Sequence, residues 1–205
     1  MPRPSVPTRR ADILAAAQAA FNERGFAATR MEDIAARVGV SKAALYLQFP
    51  SKEALFEALT SEIIEAMLPE VAPGDFGDAP APGLLRMFVA GIAERLARPE
   101  MAFVARVIIG EGMNFPGLAR FYHEHAILRG LGIAERIIRH GVTRGEFACA
   151  DPVLAARSVV GAVLLAALWR IVFEPVGAEA LDVPALATVH ADTLLNGLLA
   201  RKDKA

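Results

Sequence analysis

Apolar residues recur at spacings of three and four along most of the chain, and glycine or proline closes each run. Ile13, Leu14, Ala17 and Phe21 share one face of a helix expected from about Thr8 to Arg24, with Gly25 placed to end it and Phe26 following. Met31, Ile34, Ala35 and Val38 mark a second, shorter helix, announced by Thr29 and Glu32 at the spacing of a capping box. Gly39 permits a sharp turn, Ser41 can cap a third helix with Leu45 and Phe49 inward, and Pro50 forces a break. A fourth helix is expected over 52–68, with Leu55, Leu59, Ile63 and Met67 on one face. Residues 69–83, with Pro69, Pro73, Pro80, Pro82 and three glycines, read as a linker between a head (8–53) and a body (84–205). Body helices are expected near 84–97, 100–113, 116–141, 152–173 and 184–201, and no stretch alternates as a strand does. The expected fold is all-α.

Composition fits a folded protein, with 54% apolar and 22% charged residues. The net charge of −1 hides a split, because residues 1–53 carry eight Lys/Arg against five Asp/Glu (net +3) and the remainder fourteen against eighteen (net −4). A basic head on an acidic body suits a local nucleic-acid footprint. Residues 1–7 are proline-rich and read as a disordered arm, made basic by Arg3, Arg9 and Arg10. The single cysteine, Cys149, allows neither an internal disulfide nor a cysteine metal cluster and points to a reducing, cytoplasmic setting. The most apolar run, Ser158 to Trp169, is twelve residues between Arg157 and Arg170, short of the roughly 20 that a membrane helix needs, so no membrane is expected.

Residues 29–46 read as two short helices joined by a tight turn, the plan of a helix-turn-helix DNA reader. Candidate contacts follow from chemistry. Ser41 and Lys42 combine helix-start N–H groups with a cation, suited to phosphate, and Tyr46 lies one turn after Lys42 on the same face. Ala43 and Ala44 offer only methyl groups, whereas Gln48 has the amide that can pair with adenine. Thr29 and Arg30 open the second helix. Arg30 is either a phosphate or base contact or a solvated side chain.

The stretch from Ile13 to Phe56 resembles the N-terminal DNA-binding domain of the TetR family of transcriptional regulators. The residues that carry the likeness are Ile13-Leu14, Ala16-Ala17, Phe21, Gly25-Phe26, Ala28-Thr29, Ile34-Ala35, Gly39-Val40-Ser41-Lys42, Leu45-Tyr46, Phe49 and Ser51-Lys52-Glu53 with Leu55-Phe56. The chain departs from the common pattern at Arg30, Ala43 and Ala44, where the family often has a small hydroxyl, glycine or polar residue. The resemblance implies a double-stranded, near-palindromic DNA operator as partner, with Lys52 as a second phosphate anchor. It also implies a C-terminal helical domain for homodimerisation and for binding a small-molecule effector of unidentified structure. Phe103 to Leu118 is similar to the C-terminal region of AcrR- and AefR-like members.

The helix at 152–173 is apolar nearly all round, as expected of one buried on more than one side. With the last helix it is expected to form half of a dimer interface through Val160, Leu164, Leu168, Leu194, Leu195 and Leu198, the alternative being an internal core helix. Expected effector-pocket residues are Phe88, Ile92, Phe103, Arg106, Val107, Glu111, Phe121, Tyr122, His125 and Trp169, a mainly apolar set suited to a hydrophobic effector. His123 and His125 point about 200° apart on a helix, which does not suit one metal ion. No catalytic constellation, metal site or cofactor is expected. The functional expectation is a repressor released by its effector. The alternative is a regulator of the same fold without a small-molecule inducer. An enzyme using Glu111 and His125 ranks far behind.

Overall fold

A computed structural model describes residues 6–67, 76–96 and 98–199. Ten α-helices carry the described fold: α1 Val6–Arg24, α2 Met31–Val38, α3 Lys42–Gln48, α4 Lys52–Met67, α5 Ala81–Leu96, α6 Pro99–Glu111, α7 Pro116–Tyr122, α8 Leu128–Thr143, α9 Pro152–Leu168 and α10 Val183–Leu198. A π turn at His123–Ile127 joins α7 to α8, and another at Trp169–Phe173 extends α9. Among the described residues the sole β feature is an isolated bridge between Phe147 and Leu199. The all-α expectation holds. Residues 1–5 of the expected arm and 68–75 of the expected linker lie outside the described residues.

Contacts divide the chain into two compact units, Met1–Ala66 with Arg106–His125, and Met67–Ala105 with Ala126–Ala205. The first contains the head. Ile13, Leu14, Phe21, Ile34, Leu45 and Phe49 are buried, as their spacing predicts. The centre is aromatic: Phe21, Phe26 and Phe56 meet at ring centroids 5.2–6.3 Å apart, and Phe115 sets its edge against Phe26 at 4.9 Å. Residues 106–125, expected in the body, therefore pack with the head. The reason is that Phe26 is fully buried and needs a cover that the short head helices do not supply alone.

The linker expectation is corrected at its C-terminal end. α5 starts at Ala81, three residues early, because Pro80 and Pro82 sit where a first helical turn tolerates proline. Residues 76–81 are tied to the end of α8. The His140 ring reaches the Ala79 carbonyl at 2.9 Å, and the Glu146 carboxylate accepts from Ala81 N at 2.7 Å and Arg144 Nε at 2.8 Å. The hydrogen bond from Arg144 holds the Glu146 carboxyl below its ordinary value of 4.5, aided by the Ala81 amide. The second unit is built on Leu85 and Val89 of α5, Ile133, Ile137 and Ile138 of α8, Val159 of α9, and Ala187, Leu195 and Leu198 of α10. Asp151 and Asp182 cap α9 and α10, accepting from Leu154 N at 3.0 Å and Ala185 N at 2.9 Å.

Candidate nucleic-acid interface

α2 and α3 are joined by a turn that only glycine adopts readily. Gly39 has φ 75°, and the Val40 N–H returns to the Ala35 carbonyl at 3.0 Å, closing a Schellman end on α2. Ser41 then caps α3, its hydroxyl accepting from Ala44 N at 3.1 Å. Leu45 and Phe49 pack inward, which leaves Lys42, Ala43, Tyr46 and Leu47 facing out. Ala44 and Gln48 are half-buried at its margins. Tyr46 is 38% exposed, with the Lys42 ammonium 5.6 Å from its ring centre. Lys42 also pairs with Glu32 of α2. That ion pair keeps the Glu32 carboxyl below its usual range and raises the Lys42 ammonium. Arg24 to Asp33 at 3.0 Å and Arg37 to Glu23 at 2.5 Å bridge α2 and α1 at the surface, beside the buried Ile34 of α2 and Leu45 of α3 that seat those two helices on the head.

The sequence misses two residues on this surface. Leu47 is 88% exposed, an apolar side chain set off the inward stripe. Its signal is that mismatch with the helical period, which reads as noise in a seven-residue helix. Glu32 is read as a capping residue but faces Lys42 instead. Arg30 is the exposed N-cap of α2 and makes no side-chain cap.

Two expected contacts are corrected. Thr29 is 1% exposed, and its hydroxyl donates inward to the carbonyls of Gly25 at 2.7 Å and Ala20 at 3.2 Å. It shapes the head and presents no side chain to DNA. Lys52 donates to the carbonyls of Phe26, Ala27 and Thr29 at 2.7, 3.0 and 3.0 Å. Its ammonium also lies over the Phe26 ring at 4.6 Å and the Phe115 ring at 5.7 Å. An ammonium has three protons, so none remains for a phosphate. Burial pushes this amine below its ordinary pKa.

The expected pocket residues are dispersed. Glu111 takes the Ala27 amide at 3.4 Å in the first unit, so it braces the head instead of lining a body pocket. Arg106 and His125 are exposed, the latter stacked on Phe121 with ring centres 4.2 Å apart. Phe103 and Val107 are buried, and Tyr122 is half-buried, its phenol pushed up by burial. Phe88 and Ile92 are half-buried in the second unit. Trp169 donates its indole N–H to the Glu179 carbonyl at 2.9 Å. In the second unit a shallow apolar cleft lies among Ala93, Ala162, Val163, Ala166, Leu186 and His190, and it includes none of the ten expected residues.

The dimer expectation is corrected in part. Val160, Leu195 and Leu198 are buried within the one chain and belong to its own interior. Leu164 is exposed, while Leu168 and Leu194 are half-buried. The outward stripe of α9 is instead Leu154, Gly161, Leu164, Leu165 and, within the π turn, Val172, with Val189 exposed on α10.

Residues 13–59 match bacterial regulatory proteins of the tetR family, and residues 83–190, more than half of the chain, match the C-terminal domain of AefR-like transcriptional repressors. The chain belongs to the TetR family. TetR-family proteins are DNA-binding transcriptional regulators, and α2–α3 is the helix-turn-helix of this one. The regulator RutR of Escherichia coli strain K12 is 44% identical over 64 residues, 31% of this chain and 30% of RutR, so the chain matches less than a third of that relative's length. Among solved structures, SmeT in complex with triclosan superimposes with a TM-score of 0.77 at 24% identity, over 96% of this chain and 93% of SmeT. FadR from Bacillus subtilis in complex with stearoyl-CoA gives 0.70 at 23% identity, over 91% and 98%. At such identities the likeness to these two TetR-type structures is one of fold.

Proposed function

We propose that this TetR-family regulator is a homodimeric repressor, working on cytoplasmic DNA, that a small, mainly apolar effector releases from a near-palindromic operator. The observation that carries the DNA-reading half is the outward face of α3. It joins a cation, an exposed phenol, a methyl group and an exposed leucine on one outward face. Such a helix contacts base edges with its first residues, and a dimer repeats the contact one helical turn of DNA away, ~34 Å. Phosphate contacts then fall to Tyr46 and Arg30, the latter being exposed at the start of α2.

Release by an effector draws support from the ligands of the fold relatives, triclosan for SmeT and stearoyl-CoA for FadR. The effector must bind the DNA-incompetent state more tightly than the competent one. A switch from 1:99 to 99:1 needs a preference of about 10⁴-fold. A regulator controlled without a small-molecule inducer is the second reading. It is favoured by the tightness of the apolar cleft, which admits about one water-sized sphere, against roughly 300–1,000 Å³ for ordinary ligand sites.

The DNA-reading half is tested by changing Lys42 and Tyr46 together to alanine and measuring binding to the intergenic DNA beside the gene. Binding is expected to disappear at physiological salt while the circular dichroism spectrum stays unchanged. Retained binding would show that α3 is not the reading helix. The two modes of control separate on adding long-chain acyl and aromatic apolar compounds to the preformed complex. Release supports the effector reading, and unchanged binding throughout supports the second.

A further inference from the structure

On the outward face of the head, Glu32 of α2 and Lys42, the first residue of α3, form an ion pair whose side chains remain about half exposed. Ala43 beside them is exposed and carries only a methyl group, so no bulk separates the pair from an approaching base edge. A carboxylate on a surface that meets phosphates is repelled by them unless the DNA gives it a hydrogen bond. It can only accept, and in the major groove the donors are the exocyclic amines of cytosine and adenine.

The two base pairs present those amines differently. The G·C edge runs acceptor, acceptor, donor: guanine N7 and O6, then cytosine N4. The A·T edge sets its one donor, adenine N6, between two acceptors, adenine N7 and thymine O4. An ammonium held beside a carboxylate complements the first order, with the cation on guanine and the carboxylate on the terminal cytosine amine. On the second order, one neighbouring acceptor always faces the carboxylate and repels it. We infer that Glu32 and Lys42 act together as a single reader of one G·C pair in each half-site, Lys42 donating to guanine and Glu32 accepting from cytosine. The pair is neutral overall, so it contributes to sequence choice and not to the salt-dependent attraction common to all DNA. The inference rests on α3 being the groove helix.

The test uses the full-length protein and a random-sequence duplex DNA library, with bound duplexes sequenced and affinities measured by fluorescence anisotropy on single-pair variants of the enriched duplex. Wild type is expected to require G·C at one position of each half-site, discriminating against A·T there by roughly tenfold or more. Glu32→Ala should reduce that preference to about twofold and leave the other positions unchanged, because the cytosine amine loses its acceptor. Glu32→Gln, whose amide oxygen still accepts, should fall between the two. A Glu32→Ala motif identical to wild type overturns the inference. So does a uniform gain in affinity for all duplexes, which would make Glu32 a mere restraint on Lys42. A wild-type protein that enriches no motif fails earlier, at the DNA-reading function itself.

Discussion

Lys52 has three protons, and the loop after α1 supplies three carbonyl oxygens for them. Those carbonyls belong to residues 26–29, where the chain leaves one helix before entering the next, and buried acceptors there need donors. Lys52→Ala is therefore expected to destabilise the protein by about 1–3 kcal/mol, seen in a urea unfolding curve. It should leave the salt slope of DNA binding unchanged. A phosphate anchor would instead lower that slope by about 0.9, and such a loss would return Lys52 to the DNA surface. Residue identity made Lys52 and Thr29 legible as important but not as inward-facing. A lysine that closes a loop and one that meets a phosphate have the same letter and the same neighbours in sequence. Thr29 misled for a related reason, since its hydroxyl satisfies a backbone acceptor of the preceding turn and Arg30 takes the cap position of α2.

Helices were the legible scale. Ser41 accepts the hydrogen bond expected of a cap, and Ile13, Leu14, Ala17 and Phe21 of α1 and Leu55, Leu59 and Ile63 of α4 are buried where the period of 3.6 puts them. The two π turns were not legible. One inserted residue barely disturbs an apolar period, and whether a helix takes it depends on what packs beside it. Pro80 and Pro82 were ambiguous because proline marks both linkers and first helical turns. Gly141, which reads as punctuation, turns out to be a contact. A Cβ there would stand 2.3 Å from the Phe147 ring and 2.8 Å from the Ala81 side chain. Gly141→Ala is expected to cost about 1–3 kcal/mol through overpacking, measured as a lowered urea midpoint with unchanged slope. An unaltered midpoint would mean that Phe147 swings aside freely.

For the whole molecule, the helical stretch Pro152–Val176 raises the largest question. Its 25 residues include an 18-residue window of mean hydropathy 1.9, of which 22% is buried, so it is long and apolar enough to cross a membrane. The twelve-residue run counted from sequence understated it, because the helix continues through the apolar π turn. Packing gives it another place. Ala156, Val159 and Val163 are buried in the second unit, and the His190 ring reaches the Val159 carbonyl at 3.1 Å. The remaining stripe, Leu154 to Val172, is the length of face that a second copy would cover. Light scattering is expected to give a mass near twice 21.9 kDa. Leu164→Glu with Leu165→Glu should halve it without loss of helical signal. A wild-type monomer, or a doubly charged variant that stays paired, would remove this stripe as the interface.

The contact of Phe115 with Phe26 has a consequence for anyone recombining such regulators. Chimeras are usually imagined as cut once, between an N-terminal reader and a C-terminal sensor. Here the reader's aromatic centre is completed by a ring that comes more than eighty residues later in the chain, with Glu111 beside it on the Ala27 amide. A single cut in the proline-rich stretch after α4 would transplant a reader with one wall missing. A working graft has to carry residues 106–125 with it.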